Sequence, residues 1–155
     1  MTSLITGAPL WVWPLFVVLL LVGLRARRNR EAPVVLVYAL PLLGVLALRS
    51  VYAVGGSGWG WALFALAYGA GAVVGHHLQK RWTLARAGRK VRLAGESMTL
   101  VVMMALFWAN FVAGVLQAVA PAIIANPWFL VALSVILGGC AGSFAGRAVR
   151  VWRMA

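Results

Sequence analysis

Apolar stretches long enough to cross a lipid bilayer, the first of them only barely, recur five times along the chain, separated by short polar or basic segments. A bilayer has a hydrocarbon core about 30 Å thick, which takes roughly 20 apolar helical residues to cross. The stretches predict helices over residues 9–24, 33–54, 59–78, 97–119 and 127–147. Only 10% of the residues are charged, against about 25% in a typical soluble domain. We therefore expect one all-α domain over residues 1–155, an integral membrane bundle of five transmembrane helices.

Local signals mark several of the predicted helix ends. Ser97 and Asn126 precede the fourth and fifth helices, and both residue types cap helix N-termini well. Pro41 falls inside the second helix, where its missing N–H predicts a mild kink.

The basic residues predict which way the bundle faces. Thirteen of the fourteen Lys and Arg residues fall within residues 25–30, 80–92 and 147–153. Five crossings place all three segments on one side of the membrane. Because Lys and Arg accumulate on the cytoplasmic side, we expect the N-terminus outside the cell and the C-terminus in the cytoplasm.

The longest predicted connection is a basic cytoplasmic loop over residues 79–96. We expect its cations to contact anionic lipid headgroups, with Trp82 at the inner membrane interface. Since orientation in the membrane accounts for the positive charge, we expect no nucleic-acid partner. The basic residues of this loop are Lys80, Arg81, Arg86, Arg89, Lys90 and Arg92.

Small residues at four-residue spacing mark two helix-packing faces. Helices in a bilayer associate where small residues let their backbones approach closely. The third helix carries Ala67, Gly71 and Gly75, and the fifth carries Gly138, Gly142 and Gly146. The spacing fits packing within one bundle, and it also fits a homo-oligomer or larger membrane complex built on the fifth helix.

Polar residues at depth in the membrane are candidates for function. Five of them are predicted to lie in the outer half of the bundle: Arg49, Tyr52, Asn110, Gln117 and Ser134. Together they form a candidate site for a small molecule, an anion or a lipid. Two alternatives stay open, because Arg49 can extend to the outer headgroups and Asn110 can simply join two helices by a hydrogen bond.

No residue pattern indicates catalysis, a metal or a cofactor. His76 and His77 are adjacent, and neighbours on a helix point about 100° apart, so they cannot hold one ion from the same face. Cys140 is the single cysteine, which excludes a disulfide within the chain. The leading expectation is a non-enzymatic accessory or self-assembling membrane subunit, and the alternative is a binding or translocation protein that uses the polar cluster.

Three segments carry a resemblance to a known family: APLWVWPLFVVLLLVGLRARR at the start, RKVRLAGES leading into FWANFVAGV, and GGCAGSFAGRAVRVW at the end. On these segments the chain resembles a family of small, uncharacterised bacterial multi-pass inner-membrane proteins, a domain of unknown function. The resemblance implies a bacterial inner-membrane location and no particular activity.

Overall fold

The computed structural model describes residues 12–55, 58–87 and 90–154 and is mostly helical, at 84%. Its helices are α1 Val12–Ala26, α2 Val34–Ala39, α3 Leu43–Ala53, α4 Gly58–Trp82, α5 Met98–Val119, α6 Pro121–Ile124 and α7 Pro127–Trp152. A 3-10 turn, Leu40–Leu42, separates α2 from α3. The strands are β1 Arg30–Pro33, β2 Thr83–Ala87 and β3 Lys90–Leu93.

Three of the helices, α4, α5 and α7, are long and apolar enough to cross a membrane. The apolar helices α1 and Val37–Ala53 are shorter. With 15 residues, α1 is about 23 Å long at 1.5 Å per residue. The predicted first helix began at residue 9, and its first three residues lie outside the described part of the chain.

The second predicted helix is interrupted rather than mildly kinked. Pro41 lies in the 3-10 turn Leu40–Leu42 between α2 and α3. A proline ring clashes with the carbonyl group four residues earlier and offers no N–H to the helix, so the chain takes a tighter turn here. The interruption leaves the six-residue helix α2 beside the strands.

Helix ends differ from the predicted ends where basic residues continue the helix. Helix α4 extends to Trp82 and α7 to Trp152, because Lys and Arg are good helix formers. The predicted cap at Asn126 is confirmed, since its side chain accepts a hydrogen bond from the Trp128 N–H at 3.0 Å. Ser97 makes no side-chain cap.

The all-α prediction is wrong for the basic segments, which form a small antiparallel sheet of order β1-β3-β2. Residues 79–96, predicted as a loop, instead include the end of α4, the strands β2 and β3, and the residues that connect β3 to α5. The sheet forms because Val91 on β3 is fully buried against Val37 and Val151. This small apolar cluster holds the strands to α2 and α7.

Helix directions alternate along the chain. Helices α1 and α5 run antiparallel, since Phe16 contacts Phe107 and Gly23 contacts Leu100. Helices α4 and α7 run parallel, as shown by the glycine contacts described below. The strands and the last turns of α4 and α7 therefore meet at one end of the bundle. We call it the basic end, formed by residues 25–33, 80–96 and 147–153.

Candidate functional site

Two of the five predicted cluster residues join α5 to α3. Asn110 accepts a hydrogen bond from the Ser50 hydroxyl, and its Nδ2 donates to the Leu106 carbonyl oxygen at 2.6 Å. The side chain of Gln117 donates from Nε2 to the Ala53 carbonyl oxygen at 2.7 Å. Asn110 therefore makes an interhelical hydrogen bond, with a partner that the sequence analysis did not name.

The other three cluster residues lie apart from this contact. Arg49 is exposed on α3, and Tyr52 is 76% exposed. Ser134 on α7 is fully buried, and its Oγ has no hydrogen-bond partner among the described residues. The described contacts do not join Arg49 or Tyr52 to Asn110, Gln117 or Ser134.

The two glycine faces pack against each other within the chain. A Cβ at Gly142 would overlap the carbonyl oxygen of Tyr68, and one at Gly75 would overlap that of Ser143. The same holds for three further contacts: Gly71 with Gly139, Gly146 with Ala72, and Gly138 with Phe64 and Ala67. All six predicted packing residues thus contribute to the interface between α4 and α7, and this interface occupies both faces.

The predicted headgroup residues surround the strands of the basic end. Lys80, Arg81 and Arg92 are exposed. Arg92 donates from Nε to the Glu31 carboxylate at 3.0 Å, which links β3 to β1. Arg86 and Lys90 lie on β2 and β3, and Arg89 falls outside the described residues.

One basic residue of this end is buried and paired. Arg147, near the end of α7, is only 3% exposed. Its Nη1 lies 3.3 Å from the carboxylate of Glu96, whose side chain is 11% exposed, and donates to the Thr99 hydroxyl at 2.7 Å. Thr99 in turn donates to the same carboxylate, which also accepts its backbone N–H at 2.9 Å. The carboxylate of Glu96 therefore both caps α5 and neutralises Arg147.

Two aromatic rings lie close to the Arg147 guanidinium. Its Cζ lies 4.8 Å from the centre of the Trp82 ring and 5.6 Å from that of Phe144. Such stacking on a ring face is favourable for an arginine. Trp82, which was predicted at the inner membrane interface, thus also contacts a buried cation.

The other edge of the guanidinium has no partner in the described chain. Both Nε and Nη2 of Arg147 are buried and make no hydrogen bond there. A buried donor without an acceptor carries a desolvation cost, and native proteins rarely leave one so. This edge of Arg147 is therefore unusual and calls for a physical reason.

A cavity of about 230 Å³ lies beside Arg147 at the basic end. Its apolar walls come from α1, α2, the 3-10 turn, the end of α4, the end of β3 with the residue after it, and α5. The apolar lining includes Leu19, Val22, Val37, Leu40, Leu93 and Met103, and the polar lining is Gln79, Glu96, Thr99 and Arg147. Gln79 is buried, and its Nε2 donates to the Thr83 hydroxyl at 2.9 Å. Apolar walls and a few convergent polar groups are typical of a ligand site.

The titratable residues elsewhere form no comparable site. The rings of His76 and His77 lie 6.0 Å apart with their planes at 90°. Cys140 is a half-buried free thiol on α7. Among the described residues, no group of three His, Cys, Asp or Glu side chains could hold a metal ion.

Sequence reasoning assigned Arg147 only to the cytoplasmic charge and missed its pairing. Two signals were available. Glu96 is one of just two acidic residues in the chain, so a basic partner was to be expected. Arg147 also follows Gly139 and Ser143 at four-residue spacing, on the face of α7 that contacts α4.

Comparison with known proteins found no matching family model, no matching curated protein and no matching solved structure.

Proposed function

We propose that this chain is a non-enzymatic multi-pass protein of the bacterial inner membrane that binds a small amphiphilic molecule at its basic end. The observation that carries the binding proposal is a cavity with apolar walls that reaches a buried, half-satisfied arginine, Arg147. A ligand with an apolar body and one polar group fits that lining. The site lies at the opposite end of the bundle from the polar cluster predicted from the sequence.

The membrane part of the proposal rests on three long apolar helices and on the placement of charge. Alternating helix directions bring all three basic segments to one end of the bundle. Under the positive-inside rule this end lies in the cytoplasm, and five crossings then put the N-terminus outside. Large apolar side chains are exposed along every long helix, Val18, Leu66, Val101 and Val135 among them, which suits contact with lipid.

Self-assembly through the glycine faces, one form of the accessory or self-assembling role expected from sequence, is not what the geometry favours. Gly71, Gly75, Gly142 and Gly146 are in backbone contact within one chain. A second copy could use these faces only if α4 and α7 separated. The cavity therefore supports binding better than the glycine faces support assembly.

Cysteine labelling in intact cells tests the orientation. In a Cys140→Ala background, Arg27→Cys and Arg153→Cys should both resist a membrane-impermeant maleimide until the inner membrane is opened. Trp128→Cys, in the first turn of α7 and 77% exposed, should react from outside. Reaction of Arg27→Cys and Arg153→Cys from opposite sides would contradict the five crossings.

Filling the cavity tests the binding site. The side chain of Val22 on α1 lines the cavity, so Val22→Phe places a ring in the space for a ligand. We expect it to weaken binding of both octanol and octanoate by about tenfold or more, because the ring occupies volume that the ligand needs and the filled cavity does not expand freely. The measurement is equilibrium binding of radiolabelled ligand to the full chain in phosphatidylcholine nanodiscs, with ligand taken up by protein-free nanodiscs subtracted.

The matched control is Val17→Phe, at a position that is 50% exposed on the same helix. It should leave binding of both ligands unchanged. Equal binding by wild type and Val22→Phe would place the ligand elsewhere, and no binding to the wild type would refute the proposed function.

A further inference from the structure

The two edges of the Arg147 guanidinium have different surroundings. The Nη1 side faces Glu96 and Thr99, which accept its hydrogen bonds. The Nε and Nη2 groups lie together on the other edge, and neither has a partner in the residues that the structure describes. On this edge two N–H bonds point in the same direction, which is the arrangement that binds two oxygens of one carboxylate or phosphate.

The position of this edge fits a ligand better than it fits solvent. Arg147 is 3% exposed and lines the cavity, so its free donors are remote from bulk water. The Trp82 and Phe144 rings lie 4.8 and 5.6 Å from the guanidinium carbon, and Nε and Nη2 are themselves buried. A ligand oxygen therefore reaches these donors after a small shift of the side chains that cover them, and it then supplies the acceptors that the described chain lacks.

We infer that the cavity binds an alkyl oxyanion, a carboxylate or phosphate group on a single alkyl chain, with two of its oxygens on Nε and Nη2 of Arg147. This inference rests on the proposed function, because it names the class of amphiphile that the cavity takes. The alkyl chain lies against the apolar walls formed by residues such as Leu19, Val22 and Leu40.

The charge of the basic end favours an anion over a neutral head. The carboxylate of Glu96 is already engaged by Arg147 and Thr99, and Glu31 is paired with Arg92. Thirteen of the fourteen basic residues belong to the segments of this end. Their combined positive potential raises the local concentration of anions, so it attracts a ligand with an anionic head group.

The size of the cavity sets the length of chain. A dry apolar cavity of about 150 Å³ accepts benzene, with its six carbon atoms. By that ratio, the 230 Å³ cavity takes about nine non-hydrogen atoms. Octanoate has about this size, so it is the matched probe, and octanol is its neutral counterpart.

The decisive comparison uses the wild-type full chain in phosphatidylcholine nanodiscs. We expect octanoate to bind about ten- to a hundredfold more tightly than octanol, as hydrogen bonds between charged groups predict. Acetate and inorganic phosphate should bind at least tenfold more weakly than octanoate because they lack the alkyl chain.

A substitution of Arg147 tests whether its Nε and Nη2 groups cause the preference for octanoate over octanol. Arg147→Lys keeps a cation beside Glu96 but removes the paired N–H groups. We expect it to bind octanoate and octanol with affinities within about threefold of each other, and a retained ten- to hundredfold preference would contradict the assignment to Arg147. Arg153→Lys, an exposed position at the end of the same helix, should keep the wild-type preference.

The outcomes separate this inference from the proposed function. Octanol and octanoate binding equally well to the wild type would overturn the oxyanion and leave the amphiphile site standing. Acetate or inorganic phosphate binding as tightly as octanoate would overturn the alkyl part. Failure of every ligand would refute the proposed function itself. The ligand comparison needs only the wild type, so the test stands even if Arg147→Lys does not fold.

Discussion

The α4–α7 pair and the α1–α5 pair show two ways of joining helices in the same small bundle. Between α4 and α7, glycines bring backbone against backbone over several turns, as at Gly75 and Gly142. Between α1 and α5, Gly23 lies against Leu100, whose side chain is its nearest neighbour, and the rings of Phe16 and Phe107 are in contact. Small residues close the first interface, whereas larger side chains leave room for a cavity beside the second.

The largest effect should come from forcing the α4–α7 interface apart. Gly142→Leu puts a side chain into the Tyr68 carbonyl group, and backbone cannot move aside as a flexible side chain can. We expect a loss of at least about 3 kcal/mol in the free energy of unfolding, measured by titration with sodium dodecyl sulfate in mixed micelles.

The control for that change is Gly69→Leu on α4, where an added Cβ meets no atom of the described chain within 4 Å outside the neighbouring helix backbone. Its unfolding free energy should stay within about 0.5 kcal/mol of wild type. If the two variants were equally stable, the close packing of α4 and α7 would not describe the protein.

The next effect should arise at the buried ion pair beside the cavity. Glu96→Ala leaves Arg147 buried without its carboxylate and also removes the cap of α5. Losing one partner of a buried pair costs about 3 kcal/mol. Because the Glu96 side chain keeps 11% of its surface exposed, we expect the loss of unfolding free energy to be no larger than this. The same detergent titration measures it.

The other acidic residue of the chain supplies the comparison. Glu31 pairs with Arg92 in an exposed position, so Glu31→Ala should cost less than about 1 kcal/mol. Equal costs at Glu31 and Glu96 would show that the Glu96–Arg147 pair is solvated and would remove the basis for the cavity site.

The smallest expected effects on stability are at two neighbouring residues of α3, Ser50 and Arg49. Ser50→Ala removes the hydrogen bond to Asn110 and should cost about 0.6 to 1 kcal/mol, the usual worth of such a bond between membrane helices. Arg49→Ala, at the exposed neighbouring position, should change stability by less than about 0.5 kcal/mol. A larger effect at Arg49 than at Ser50 would restore the cluster predicted from the sequence.

Features set by local composition were the predictable ones. The apolar stretches predicted helices, and three of them are long enough to span a membrane. The four-residue spacing at Gly71 and Gly142 predicted close helix contact, because spacing on one helix determines its face. Asn126 predicted a helix cap for the same local reason.

Features that depend on distant partners were not predictable in this way. Strand β3 forms because Val91 meets Val37 and Val151, residues more than fifty positions away on either side. The sequence KVRL within a run of cations looked like a surface loop. Arg147 likewise counted as one more cytoplasmic cation, since its burial depends on Glu96 arriving from the start of α5.

The two residues of the buried ion pair are synthesised at different times. Glu96 and Arg147 are separated by 51 positions, so a ribosome adding about 5 to 20 residues per second takes roughly 3 to 10 s between them. Over that interval the acidic residue exists without its counter-ion, and its end of the bundle lacks α7. The basic end of the bundle therefore reaches its final packing only after the last helix has been synthesised.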